Sequence, residues 1–189
     1  MDVWIEKMGL AGEDIPDPNR DFLLNLGTAM EPVISELYSR ETGRNVFQPR
    51  RYAHKKLHWL IGSPDRLVVG EKRGVELKTE SMYVDQFGEP GTDEVPDQYL
   101  IQCAVYMAIM EYPVWDIALL KAGTSFTIYT IKRDMDLETH LLTELNDWWQ
   151  RHIVEKHPPD IDGSGAWTLY LRKTYPRDIE PQPAVRQLF

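Results

Sequence analysis

Between Val46 and Thr79 the sequence breaks into short extended segments separated by turn-forming residues, and a stretch of helical period stands on either side. The segments are residues 46–52, 57–61, 66–69 and 74–78, with Gly62-Ser63-Pro64-Asp65 and Gly70-Glu71-Lys72-Arg73 between the last three. They predict an antiparallel meander. Ahead of it, Met30, Val33, Ile34, Leu37 and Tyr38 fall on one face of a helix that Gly43 should terminate, and Pro32 implies a kink or a start close to Met30. Behind it, Leu100, Cys103, Ala104, Met107 and Met110 form the stripe of a second helix over residues 99–111, with Tyr99, Gln102 and Tyr106 on another face.

The remainder follows the same logic. Residues 115–121 and 126–131 read as two strands joined around Gly123, and residues 134–156 as a long helix burying Leu137, Leu141, Leu145, Trp148 and Trp149. Residues 86–96, rich in Gly, Pro and acids, read as an exposed loop that orders with a ligand. The order helix, strands, helix, strands, helix predicts an α/β or α+β sheet with helices packed on it. A chain of 189 residues suits one domain, divided into a core over 1–157 and a turn-rich tail over 158–189.

Composition removes several classes of function. The lone Cys103 cannot form an internal disulfide or build an iron–sulfur site, and it belongs to an apolar helix face. No run of about 18 apolar residues occurs, and the first ten residues lack the basic flank and apolar stretch of a signal peptide, so a cytoplasmic protein with no membrane partner is expected. A formal net charge of −9 works against loose DNA binding, which depends on Lys and Arg neutralising phosphates. Arg50, Arg51, Lys55 and Lys56 nevertheless form a local basic stretch, which suits either a solvated strand edge or a phosphate contact.

The chemistry is concentrated in Ser63-Pro64-Asp65 followed by Val75-Glu76-Leu77-Lys78. Side chains alternate along a strand, so Glu76 and Lys78 share one side while Val75 and Leu77 take the apolar other side. If residues 65–69 pair with 74–78 as a hairpin, Asp65 comes close to Glu76 and Lys78. Two neighbouring carboxylates repel unless a cation lies between them, and Mg²⁺ prefers such hard oxygen ligands. The expected metal ligands are therefore Asp65, Glu76 and the Leu77 carbonyl, with Mn²⁺ able to substitute. Lys78 is placed to orient the attacking water. The plain alternative is a surface Glu76–Lys78 pair on an exposed strand.

Gly27 to Pro32 (GTAMEP), the helix ending Thr42-Gly43, the Ser-Pro-Asp turn, Val75 to Thr79 (VELKT) and Pro96 to Gln102 occur in an order that resembles the YqaJ-type viral recombinases, the family that includes phage lambda exonuclease. The likeness runs from about Trp4 to the last helix. It implies a restriction-endonuclease-like core, a central mixed sheet flanked by helices, of the PD-(D/E)xK superfamily. It further implies a 5′-to-3′ double-stranded DNA exonuclease that leaves 3′ overhangs for a single-strand-annealing protein, assembled as a ring trimer around DNA in a bacterial or phage-infected cell. By the same resemblance Glu31 is the helix-borne acid acting on a water or second metal, Asp65, Glu76 and Lys78 are the catalytic core, Gln102 is the glutamine of the following helix, and Tyr99 is the aromatic one turn before it. Two features depart from the family. Arg66 stands where Gly is usual after Ser-Pro-Asp, which makes it a candidate phosphate contact, and the opening motif whose arginine and serine grip the 5′ phosphate has no counterpart. Rival readings are a RecB-like nuclease or endonuclease with the same metal chemistry, and a non-catalytic DNA-binding or assembly module.

Overall fold

A computed structural model of the chain describes residues 2–10, 18–82 and 86–175. The chain divides into two compact units, Pro16–Asn146 and the pair of segments Met1–Ile15 and Asp147–Phe189. All the residues singled out for chemistry lie in the first unit.

That unit is built on a mixed sheet in the order β1-β4-β5-β6-β7, comprising β1 (Val46–Phe47), β4 (Arg66–Val68), β5 (Arg73–Glu80), β6 (Val114–Lys121) and β7 (Ser125–Lys132). β2 (Tyr52–Ala53) and β3 (Ile61–Gly62) pair separately as a two-stranded ribbon. Neighbours in the main sheet run antiparallel except β5 and β6, which run parallel and are joined by the crossover helix α3 (Asp97–Met110).

Alternation along the strands explains why the sheet is covered on both faces. Trp115, Ile117 and Leu119 of β6 pack with Leu67, Cys103 and Met107 on the side of α3. Ala118 and Leu120 pack with Val75, Leu77, Ile34 and Tyr38 on the side of α2 (Pro18–Thr42). Gly74 is required on the α3 side, since a Cβ there would lie 2.4 Å from the Trp115 ring.

Several sequence expectations are corrected. The segment 46–52 is not one strand: Val46 and Phe47 pair with β4, Tyr52 and Ala53 pair with β3, and Pro49 lies in the intervening stretch that belongs to neither sheet. Only Ile61 of the predicted 57–61 strand is extended, because the His54 ring accepts the N–H groups of Lys56 and Leu57 and holds a turn there. The helix before the strands starts at Pro18 and continues through Pro32 to Thr42, with Gly43 at φ +70° ending it. The loop 86–96 is not fully exposed: Phe87 packs on Tyr99 and Tyr129, Tyr129 donates to the Gly88 carbonyl at 3.1 Å, and Gly88 N–H donates to the Glu94 carbonyl at 2.8 Å.

The final predicted helix is α4 (Met135–Trp149), continued by a π-helical turn over Gln150–Val154. Its Leu137, Leu141, Leu145, Trp148 and Trp149 are half-buried, and the buried α4 residue is Glu138, held by two bonds from Arg133. In the second unit Trp4 of α1 (Asp2–Lys7) is buried and donates to the His152 carbonyl at 2.9 Å. The expected turn-rich tail contains a helix, α5 (Gly165–Thr174), capped by Ser164 accepting from Trp167 N–H. Residues 176–189 of that tail lie outside the described residues.

Candidate functional site

The β4–β5 register sets Arg66 opposite Val75 and Leu67 opposite Gly74. Continuing it by one residue brings Asp65 opposite Glu76, and opposed residues of an antiparallel pair project to the same face. β4 begins only at Arg66, so beyond that point the edge of β5 has no strand beside it. The Asp65 carboxylate fills that place, with Oδ2 accepting the Leu77 N–H at 2.8 Å. N–H and C=O of a strand residue point to the same edge, so the Leu77 carbonyl faces this opening as well.

Glu76 is 2% exposed, which removes the reading of Glu76 and Lys78 as a surface pair. Its Oε1 accepts from Lys78 Nζ at 2.8 Å, and its Oε2 is buried with no hydrogen-bond partner. The Gln102 side chain lies close enough to favour the ionised carboxylate, yet its amide donates to the Tyr106 hydroxyl at 3.3 Å. Burial, followed by the charge of Asp65, pushes the Glu76 carboxyl up to about 7. Asp65 is also raised, chiefly by burial, against the Leu77 N–H and the Lys78 charge. For Lys78 burial works downward, but the Glu76 carboxylate outweighs it and holds the ammonium above its ordinary value. That ammonium lies 4.7 Å from the centre of the Tyr99 ring, a cation–π contact.

A pocket of about 240 Å³ opens at this point, lined by Glu31, Asp65, Glu76, Leu77 and Lys78 and overhung by Leu23 and Leu24 of α2. The structure therefore brings Glu31, Asp65, Glu76, Leu77 and Lys78 to one opening, with Tyr99 against Lys78 and Gln102 behind Glu76. Among the described residues no group of three or more His, Cys, Asp or Glu side chains is gathered as a metal cluster. Glu31 faces the pocket but pairs with Arg66 at 3.4 Å. Arg66 itself is 8% exposed and packed against α2 rather than open to solvent. Arg50, Arg51, Lys55 and Lys56 are exposed, with Lys55 paired to Glu111 at 2.5 Å.

Sequence reasoning missed two features. One is the Arg66–Glu31 pair, whose signal was the arginine standing in a glycine position. The other is Asp116, whose signal was an acid inside the apolar run of β6; it accepts bonds from Tyr38, Arg73 and Thr130.

Comparison with known proteins bears on the family and the fold. The model of the YqaJ-like viral recombinase domain matches residues 1–113. An uncharacterized protein of Bacillus subtilis strain 168, YqaJ, is 26% identical over 178 residues, covering 92% of this chain and 54% of the relative. The chain thus spans about half the length of the curated relative it matches. Among solved structures, an alkaline exonuclease from Laribacter hongkongensis superposes with a TM-score of 0.59 at 22% identity, over 70% of this chain and 69% of that one. A phage-related exonuclease from Haemophilus somnus 129PT superposes at 0.61 and 14% identity, over 82% and 81%. These likenesses confirm the fold, a mixed sheet flanked by helices. With the family model matching more than half of its length, the chain belongs to the YqaJ-like viral recombinase family.

Proposed function

We propose that the protein is a divalent-metal-dependent deoxyribonuclease, and that it degrades duplex DNA from 5′ ends to leave 3′ overhangs. The observation that carries the reading is the buried, unpartnered Oε2 of Glu76 beside a second raised carboxylate, Asp65. A buried acid with an orphaned oxygen costs free energy, and a cation with hard-oxygen preference would offset that cost. The donor set fits Mg²⁺ or Mn²⁺: two carboxylates and the Leu77 carbonyl on one edge, with room beside them. When bound, the ion would supply Lewis acidity toward a phosphate oxygen and toward water.

The chain's own groups do the rest. Lys78 stays protonated, so it acts as a hydrogen-bond donor that holds the attacking water and stabilises developing negative charge. Tyr99 and Glu76 fix its ammonium from two sides. Gln102, on the rigid helix α3, stands beside the Glu76 carboxylate and favours its ionised form. Arg50, Arg51 and Lys55 would contact backbone phosphates outside the pocket.

The 5′-to-3′ polarity, the annealing-protein partner and the cytoplasmic setting are part of the same proposal, supported by the resemblance of the motifs to the viral recombinase family. A ring trimer around DNA would reconcile a net charge of −9 with a polyanionic substrate, because enclosure replaces part of the electrostatic affinity. The test is digestion of linear duplex DNA labelled separately at its 5′ and 3′ ends, with a covalently closed circle alongside, in Mg²⁺ and in excess chelator. Early release of the 5′ label, an intact circle and no cleavage in chelator are expected. Cutting of the circle moves the reading to an endonuclease, and full activity in chelator ends the metal reading.

A further inference from the structure

Three acids face the pocket, Glu31, Asp65 and Glu76, and the protein supplies a cation to two of them. Lys78 takes Glu76 Oε1. Arg66 takes Glu31, with Nη1 3.4 Å from Oε2, while the same Nη1 donates to the Asp65 main-chain carbonyl at 2.6 Å and Nε reaches Ser35 Oγ at 3.3 Å. Its guanidinium is thus clamped between α2 and the Ser-Pro-Asp turn, at the side of the pocket away from Glu76. The face explains this: Arg66 lies opposite Val75 in the β4–β5 ladder and shares the α2 side with it, whereas Asp65 and Glu76 share the α3 side.

We propose that Arg66 is a positioning residue that serves as a built-in second cation, so that the pocket holds one divalent metal ion per chain. The inference rests on the nuclease reading and sharpens it. With three carboxylates and two internal cations the pocket carries one net negative charge, which one divalent ion already overcompensates. A second ion would have to draw Glu31 away from a guanidinium that is 8% exposed and partnered on three sides. Breaking the pair in that way is costly, because it strands a buried arginine, although the Glu31 side chain is 28% exposed. Glu31 consequently acts through Arg66, holding α2 against the turn that aims Asp65. The orphaned Glu76 oxygen, with Asp65 beside it, remains the place where the single ion fits.

Counting bound Mn²⁺ by the electron-spin-resonance signal of the free ion tests this without any activity assay. The wild type, Arg66→Gly, Arg66→Lys, Asp65→Asn and the double variant Arg66→Gly/Glu31→Gln are titrated with Mn²⁺ alone, folding being checked by circular dichroism. Expected are one Mn²⁺ per wild-type chain, two for Arg66→Gly, one for Arg66→Lys, and one again for the double variant. Two ions on the wild type overturn the proposal and leave the nuclease reading intact, and this count decides the matter even where Arg66→Gly does not fold. One ion on a folded Arg66→Gly also overturns it. No ion on the wild type, or unchanged binding by Asp65→Asn, removes the metal reading itself and the inference with it.

Discussion

Glu76 on β5 and Asp116 on β6 are acids on neighbouring strands, 2% and 1% exposed, that face opposite sides of the sheet. Asp116 is saturated: Tyr38 Oη donates to Oδ2 at 2.6 Å, Arg73 Nη1 and Thr130 Oγ1 to Oδ1 at 2.6 and 2.8 Å. Glu76 has one oxygen on Lys78 and one on nothing. Burial alone does not separate a structural acid from a reactive one; the number of unmet hydrogen bonds does. The saturated carboxylate ties α2, β5 and β7 to the middle of the sheet. The unsaturated one stands where β5 has lost its neighbour and a pocket opens.

Mutating the two acids should separate the two roles. Asp116→Ala strands Arg73, Tyr38 and Thr130 and should destabilise the fold by about 3–5 kcal/mol, the usual cost of breaking a buried ion pair. Urea melts would read the loss, and an unchanged midpoint would break the contrast.

Next in size is Lys78→Ala, which leaves both carboxylates in place. Single-turnover cleavage should fall by about 10² or more, the scale for a group acting in the transition state, while Mn²⁺ and DNA still bind. Wild-type cleavage by this variant would remove Lys78 from the catalytic machinery and return it to a plain partner of Glu76.

Glu76 should also give the fold a pH dependence. Glu76 is raised to about 7, so between its ordinary value of 4.5 and about 7 the folded state binds more protons than the unfolded state. Stability of the metal-free protein should therefore fall as pH climbs through that window, by on the order of 1–3 kcal/mol, and level off above it. Asp65, raised in the same direction, adds to the slope. Thermal melts in chelator at pH 5 and pH 8 measure it, and a flat profile contradicts the proposed strain. The smallest effect belongs to Arg51→Ala, which should lower the salt slope of DNA binding by about one unit with turnover at saturating DNA unchanged.

What could be read from the sequence divides along physical lines. The hairpin that joins Asp65 to Glu76 and Lys78 was legible because strand alternation and the Ser-Pro-Asp turn act over a few residues. The crossover helix was legible because its apolar stripe repeats over three turns. Residues 46–52 were not, since which sheet a two-residue strand joins depends on partners at Val68 and Gly62 far along the chain. The loop 86–96 looked unpacked because its anchors, Phe87 and Val95, are isolated apolar residues among acids and prolines. The pairing of Arg66 with Glu31 spans 35 positions, a separation at which no local pattern operates. Asp116 could have been flagged as an acid that must find partners, but not which ones.

The central claim is that the unmet oxygen of Glu76 is a site and not a flaw in the core. Glu76→Gln tests it most directly, because the amide keeps the shape, removes the charge and lets Oε2 be replaced by a donor. Thermal melts with and without Mg²⁺, paired with digestion of end-labelled duplex DNA, give the answer. The account predicts a melting temperature in chelator at pH 8 equal to or above wild type, no rise on adding Mg²⁺, and no cleavage. A variant that melts markedly lower in chelator, keeps the Mg²⁺ shift and cuts DNA at the wild-type rate would contradict it.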